Sequence, residues 1–246
     1  MTLRTHFENS GNWLFRRRSY LPLFLLAILL PAVVWSDYPG ASHTEDYPWE
    51  LFCLAVSLSG LAIRVLAVSH AAPSTSGRGT QEPVAAALNT VGMYSVVRHP
   101  LYVGNYLMWL GVTLLPRVWW CPVICSLAFW LYYERIAFAE EEFLRRRFGD
   151  AWAAWAARTP AFVPALHNWQ APVQRFSVRH VLRREYSALF GLVSSFMFLE
   201  IVSDLVHKKR LEVDPVWGVV FACTGVAYLV LRRLKRNTRL LHVTDR

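Results

Sequence analysis

Apolar residues in this chain gather into long blocks rather than recurring at intervals, and that grouping decides what the chain can fold into. A bilayer core about 30 Å thick takes about 20 apolar residues in a helix. Segments approaching that length lie at Tyr20–Ser36, Trp49–Val68, Leu101–Leu115, Val118–Phe138, Ser187–Val206 and Trp217–Leu234. Composition agrees, with 54% of the 246 residues hydrophobic and 17% charged; a soluble domain carries about 45–50% and about 25%. The expected fold class is an all-α integral membrane protein of about six transmembrane helices. The third block, 15 residues long, rises only about 22 Å. Pro116 ends it, so it is expected to tilt, to start deep in the protein, or to form a hairpin with the fourth.

Charge orients the blocks. Lys and Arg number 26 against 17 Asp and Glu, a formal +9. Beside apolar spans such an excess points to the cytoplasmic face and anionic headgroups, so the bilayer is the expected partner and nucleic acid is not. With both termini cytoplasmic, the inner segments hold 21 basic residues and the outer ones four, Arg117, Lys208, Lys209 and Arg210. The outer Asp37–Glu50 loop is acidic, while Lys208–Arg210 runs against the pattern. Arg16–Arg18 precede the first block as in a signal peptide, but Trp35-Ser36-Asp37 is not a small-x-small cleavage site, so an uncleaved span is expected. Cys53, Cys121, Cys125 and Cys223 lie in apolar blocks with no CxxC spacing, and read as small buried hydrophobes rather than metal ligands. Ala71–Glu82, small, polar and broken by Pro and Gly, reads as a linker. The chain thus divides into 1–87, 88–170 and 171–246, with no internal repeat.

The middle division holds the residues that a membrane scaffold alone does not require. In Gly92–Gly104 (GMYSVVRHPLYVG), Pro100 suits the first turn of a helix, which sets His99 at the helix mouth. Free N–H groups and the positive end of the dipole make such a mouth an anion site, to which Arg98 and His99 add donors. Tyr102 follows three residues later, and Gly104 permits close approach. The bland reading is a membrane boundary and a helix start. A second group, Tyr133–Glu142 (YERIAFAEEE), ends the fourth block, and a tight Pro116-Arg117 turn returns it to the depth of His99. Arg135 and Glu140 stand about 140° apart on an ideal helix, so each can reach a ligand separately. The bland reading here is the acidic turn of an interfacial helix. Leu144, Phe148, Trp152 and Trp155 give Phe143–Ala157 one apolar face, expected to rest on the cytoplasmic surface, with Thr159–Pro164 as a stiff closing loop.

Taken in order and at this separation, GMYSVVRHPLYVGNYLMWLGVTL and EEEFLRRRFGDAWAAWAARTPAFVP resemble the isoprenylcysteine carboxyl methyltransferase family and its relatives among membrane phospholipid methyltransferases. The resemblance covers Leu88–Pro164, about a third of the chain. It implies S-adenosylmethionine held on the cytoplasmic side between the R-H-P helix and the glutamate-bearing helix. The matching positions are Leu88 and Asn89 at the adenosine edge, then Tyr94, His99, Pro100, Leu101 and Tyr102, with Glu140 beside the cofactor. The family's substrate-side arginine falls at Ile136 here, with Arg135 one place off.

The function this implies is S-adenosylmethionine-dependent methyl transfer to a lipid or lipidated acceptor, with Arg135 and Glu140 as catalytic residues, Arg135 and Arg98 on the substrate and no metal. A prenylcysteine carboxylate is the first acceptor, a lipid A-like phosphate or phosphatidylethanolamine the alternative. A transporter or assembly factor on the same scaffold is the reading from another class. The two blocks after Pro164 exceed the simplest members of the family, and Glu200 and Asp204, one turn apart near the outer end of the fifth, read as a structural pairing.

Overall fold

A computed structural model describes residues 2–18, 24–36, 43–70, 85–238, 240 and 241. Among these, nine α-helices and no strands are formed: α1 Leu3–Arg17, α2 Leu26–Val34, α3 His43–Ser69, α4 Met93–Val96, α5 Pro100–Leu114, α6 Trp120–Phe148, α7 Asp150–Arg158, α8 Val178–His207 and α9 Pro215–Asn237. The Ala71–Glu82 linker and the start of the first block at Tyr20 lie outside the described residues.

Local chemistry fixes the ends. Thr2 caps α1 by accepting from the Thr5 amide, and Arg16 and Arg17 complement the dipole of its last turn. Ser177 caps α8 in the same way. Asp214 accepts from the amides of Val216 at 2.7 Å and Trp217 at 3.1 Å, ahead of Pro215 in the first turn of α9. Arg117, at φ +59, turns the chain between α5 and α6.

Among the described residues three helices are long and apolar enough to cross a membrane, Tyr47–Ser69 within α3, then α8 and α9. They contain the second, fifth and sixth expected spans. The third and fourth are present as α5 and α6, while the described part of the first forms only the nine-residue α2. One expectation is corrected. Phe143–Ala157 is not a single helix, because α6 runs on to Phe148 and the chain breaks at Gly149 before α7. Gly149 sits at φ +52 and ψ −121, a conformation closed to residues with a Cβ. At 29 residues α6 reaches about 43 Å, longer than a bilayer core is thick, with its charged residues gathered in the C-terminal turns.

Packing forms two cores. Leu29, Cys53, Val112, Cys121, Cys125, Phe196 and Trp217 gather in the first, joining α2, α3, α5, α6, α8 and α9. There α3 and α5 lie close, with Ser57 Oγ donating to the Met108 carbonyl at 2.9 Å and Trp49 Nε1 to that of Leu114 at 3.1 Å. Phe15, Tyr102, Tyr133, Ile136 and Ala137 form the second core, which joins α1, α5 and α6. Cys53, Cys121 and Cys125 are buried as expected, but Cys223 is exposed. It lies on α9, whose apolar side chains face outward, as suits lipid contact.

Candidate functional site

The site forms where α5 begins. Val97 is extended, and His99 holds the position before Pro100 without a side-chain cap to the helix. The amides of Arg98 and His99 donate to the carbonyls of Pro160 at 2.9 Å and Ala161 at 3.2 Å. The Ala165 amide returns a bond to the Val96 carbonyl at 2.9 Å, and Gly92 donates to Gln170 at 2.8 Å. The closing loop thus zips along the segment before α5. Trp155 of α7, buried, donates its indole N–H to the Tyr94 carbonyl at 2.9 Å, which fixes the aromatic face of α7 against the same segment.

The antiparallel run of α5 and α6 brings the expected carboxylates to this mouth. His99 Nε2 lies 2.9 Å from Glu141 Oε1 and Nδ1 lies 3.8 Å from Glu140 Oε2. Arg98 Nε donates to Glu141 at 2.9 Å, while its Nη1 donates to the carbonyls of Ala156 at 2.9 Å and Thr159 at 3.1 Å. Aromatic rings wall the cluster. The His99 ring, 7% exposed, stacks on Tyr102 at 5.4 Å and on Phe162 at 5.4 Å, and Tyr133 lies 4.5 Å from Tyr102.

The two glutamates differ in charge state. Burial pushes Glu140 above the ordinary carboxylate range, and although His99, the Tyr102 hydroxyl and Arg18 oppose it, the net shift is upward. Glu141 is also penalised by burial, but its hydrogen bond from His99 and its pairing with Arg98 hold it below that range. Burial and the nearby Glu140 keep the Tyr94 hydroxyl protonated well above its usual value. Glu140 is enclosed by neighbouring side chains on most sides, with 24% of its side chain accessible.

Of the residues singled out from sequence, Tyr94, Arg98, His99, Pro100, Tyr102 and Glu140 meet here. Leu101 is the second residue of α5, and Leu88 and Asn89 lie half-buried in the irregular segment before α4. Arg135 is placed elsewhere. Its guanidinium stands 3.7 Å over the Phe7 ring and 3.4 Å from Ser10 Oγ, both on α1. Ile136, fully buried among aromatic side chains, occupies a position with no room for a charge. Sequence reasoning missed α1 as part of the site, with Phe15 in its wall and Arg18 near Glu140. The signal was present in the apolar stripe Leu3, Phe7, Leu14, Phe15. It also gave Glu140 the role that Glu141 shares, since the helical register alone distinguishes them. Beside the site, Leu3, Phe7 and Phe138 with Arg4, Glu142 and Arg145 line a cleft of about 600 Å³ between α1 and α6. Among the described residues no group of three or more His, Cys, Asp or Glu has metal-holding geometry.

A family model described as phospholipid methyltransferase matches residues 51–151. The chain is similar to the nickel-cobalt-cadmium resistance protein NccN of Alcaligenes xylosoxydans xylosoxydans, 30% identical over 155 residues, which cover 63% of this chain and 68% of that protein. It is 34% identical over 113 residues to the cobalt-zinc-cadmium resistance protein CzcN of Cupriavidus metallidurans, covering 46% and 50%. Protein-S-isoprenylcysteine O-methyltransferase of Schizosaccharomyces pombe is 32% identical over 79 residues, covering 32% and 34%. The chain therefore spans half the length of the second relative and about a third of the third. No solved structure matches. The family match contains both halves of the site, the His99 mouth and the Glu140–Glu141 turn, and the chain belongs to the phospholipid methyltransferase family, in its isoprenylcysteine methyltransferase-like branch.

Proposed function

We propose that this protein is a membrane methyltransferase that uses S-adenosylmethionine to methylate an anionic oxygen on a lipid or lipidated acceptor. The observation that carries the reading is the convergence of His99, Tyr102 and Glu140 inside an aromatic wall at the mouth of α5. The residues fit such a cofactor. A sulfonium or ammonium charge beside Glu140 would compensate the burial of its carboxylate, and the aromatic faces around it attract cations. When bound, the cofactor supplies an electrophilic methyl whose bond to sulfur breaks as a bond to the acceptor oxygen forms.

Around that exchange the chain's own residues position and exclude water. Glu141 and Arg98 brace His99 from behind, and Arg98 ties down the end of α7 and the start of the closing loop through the carbonyls of Ala156 and Thr159. Phe162 and Tyr133 shield the reacting space, in which a carboxylate or phosphate oxygen, already ionised at neutral pH, gains from orientation and desolvation. Arg135, on the α1 side, and the cleft rimmed by Arg4 and Arg145 support an approach by an amphiphile with an anionic head and an apolar tail. Both a prenylcysteine carboxylate and a lipid phosphate meet that description, and the active site lies on the cytoplasmic side.

The experiment is methyl-labelled S-adenosylmethionine added to membranes containing the wild type or Glu140→Ala, with the extract separated into lipid and protein. Label in lipid that the variant loses assigns a lipid acceptor, and label on protein assigns a prenylcysteine. No label in either fraction contradicts the reading.

A further inference from the structure

The family match ends at residue 151, so α8 and α9 lie beyond it. Yet a buried side chain of α8 is linked to the wall of the site through two intermediates. Glu185, 5% exposed, receives Arg64 Nε at 2.8 Å and Nη2 at 2.9 Å in a bidentate pair. The third donor of that guanidinium, Nη1, reaches Asn105 Oδ1 at 2.5 Å. Asn105 Nδ2 then donates to the Tyr133 hydroxyl at 3.0 Å, and the Tyr133 ring packs at 4.5 Å on Tyr102, the partner of His99. One path thus runs from α8 through α3 and α5 to the reacting end of α6.

Hydrogen-bond chemistry gives this path a direction. Arginine only donates, so Asn105 must present its oxygen to Arg64 and its NH₂ to Tyr133. The Tyr133 oxygen is thereby an acceptor, and its own proton remains for the side of the site. Arg64 holds its forked geometry because Glu185 takes two of its donors in parallel, the arrangement that fixes orientation as well as energy. A singly bonded arginine would free Asn105 to turn over, which would reverse the hydroxyl at the wall. Networks of this kind are worth more than their separate bonds.

We infer that Glu185 is a positioning residue of the site, setting the orientation of the Tyr133 hydroxyl through Arg64 and Asn105, so that the C-terminal helix pair is part of the working unit. Lys235 Nζ, donating to the Arg183 carbonyl at 3.3 Å, secures α9 to the same end of α8. The inference rests on the methyltransferase reading of the site. The test is the dissociation constant for S-adenosylmethionine on the purified full chain, together with thermal stability, for the wild type, Glu185→Gln, Tyr133→Phe, the double variant and Asn105→Asp. Glu185→Gln and Tyr133→Phe each weaken binding about tenfold, and the double variant is no weaker than either. Asn105→Asp keeps an oxygen for Arg64 but loses the donor to Tyr133, so it weakens binding to the same extent at unchanged stability, and it decides the matter if Glu185→Gln does not fold. Additive losses, or wild-type affinity in Glu185→Gln and Asn105→Asp, overturn the inference while the site reading stands. No binding by the wild type overturns the reading and the inference together.

Discussion

Two adjacent glutamates at the end of α6 carry opposite shifts, and the sign of each sets a different pH dependence. Glu141 is held below its ordinary value by His99 and Arg98 against the penalty of burial. Its stabilising contribution is complete above the usual carboxylate value and is lost as pH falls through the depressed one. Glu141→Gln therefore destabilises the protein by about 1–3 kcal/mol at neutral pH, by leaving Arg98 and His99 poorly satisfied. Thermal unfolding in detergent checks this, with the gap between wild type and variant narrowing below about pH 4. Glu140 behaves in the reverse sense. Burial raises its pKa, so it favours the folded state while protonated, and that contribution is lost as pH rises through the raised value. The ionised form is the costly one and is suited to receive a cation. His99, Pro100, Tyr102 and Glu140 were legible in the sequence because proline fixes a helix start and the hairpin returns the glutamates to it. Arg135 was not legible, because a one-residue change of register swings a side chain by about 100°, here onto Phe7 and Ser10.

At the scale of elements, the turn at Gly149 lets α6 end and α7 fold back beneath the site. No neighbour lies within 4 Å of a Cβ built there, so backbone conformation alone restricts the position. Gly149→Ala lowers stability by about 1 kcal/mol or more, and it loosens the Trp155 bond to the Tyr94 carbonyl. Urea unfolding measures the first effect, and the fluorescence of a variant retaining only Trp155 measures the second. Apolar periodicity across Phe143–Ala157 concealed this break, since Leu144, Phe148, Trp152 and Trp155 keep helical spacing through a glycine that the pattern does not weigh. The reverse failure occurred at α1. Its apolar stripe is mixed with Arg4, Glu8 and Arg16 and makes no apolar block, so it stands out only when packing on α6 supplies the partner face. The spans in α3, α8 and α9 were legible because block hydropathy alone specifies them, whatever polar side chains they carry inside.

At the scale of the whole molecule, basic residues concentrate on the side where α6 and α7 end, which predicts a cytoplasmic site. With Cys223 replaced by serine, Ala153→Cys is expected to react with an impermeant maleimide only from the cytoplasmic side and Lys209→Cys only from the opposite side. The reverse pattern would overturn this orientation. Whether the bundle is an enzyme turns on whether the buried carboxylate at its inner mouth meets a cation. S-adenosylmethionine carries a sulfonium charge that S-adenosylhomocysteine lacks, so the two ligands isolate that contact. The measurement is calorimetric titration of both on the wild type and Glu140→Gln. The expected result is that Glu140→Gln loses roughly tenfold or more in affinity for S-adenosylmethionine and much less for S-adenosylhomocysteine. Equal losses for the two ligands, or no binding of either by the wild type, would contradict Glu140 as the partner of the cofactor's charge.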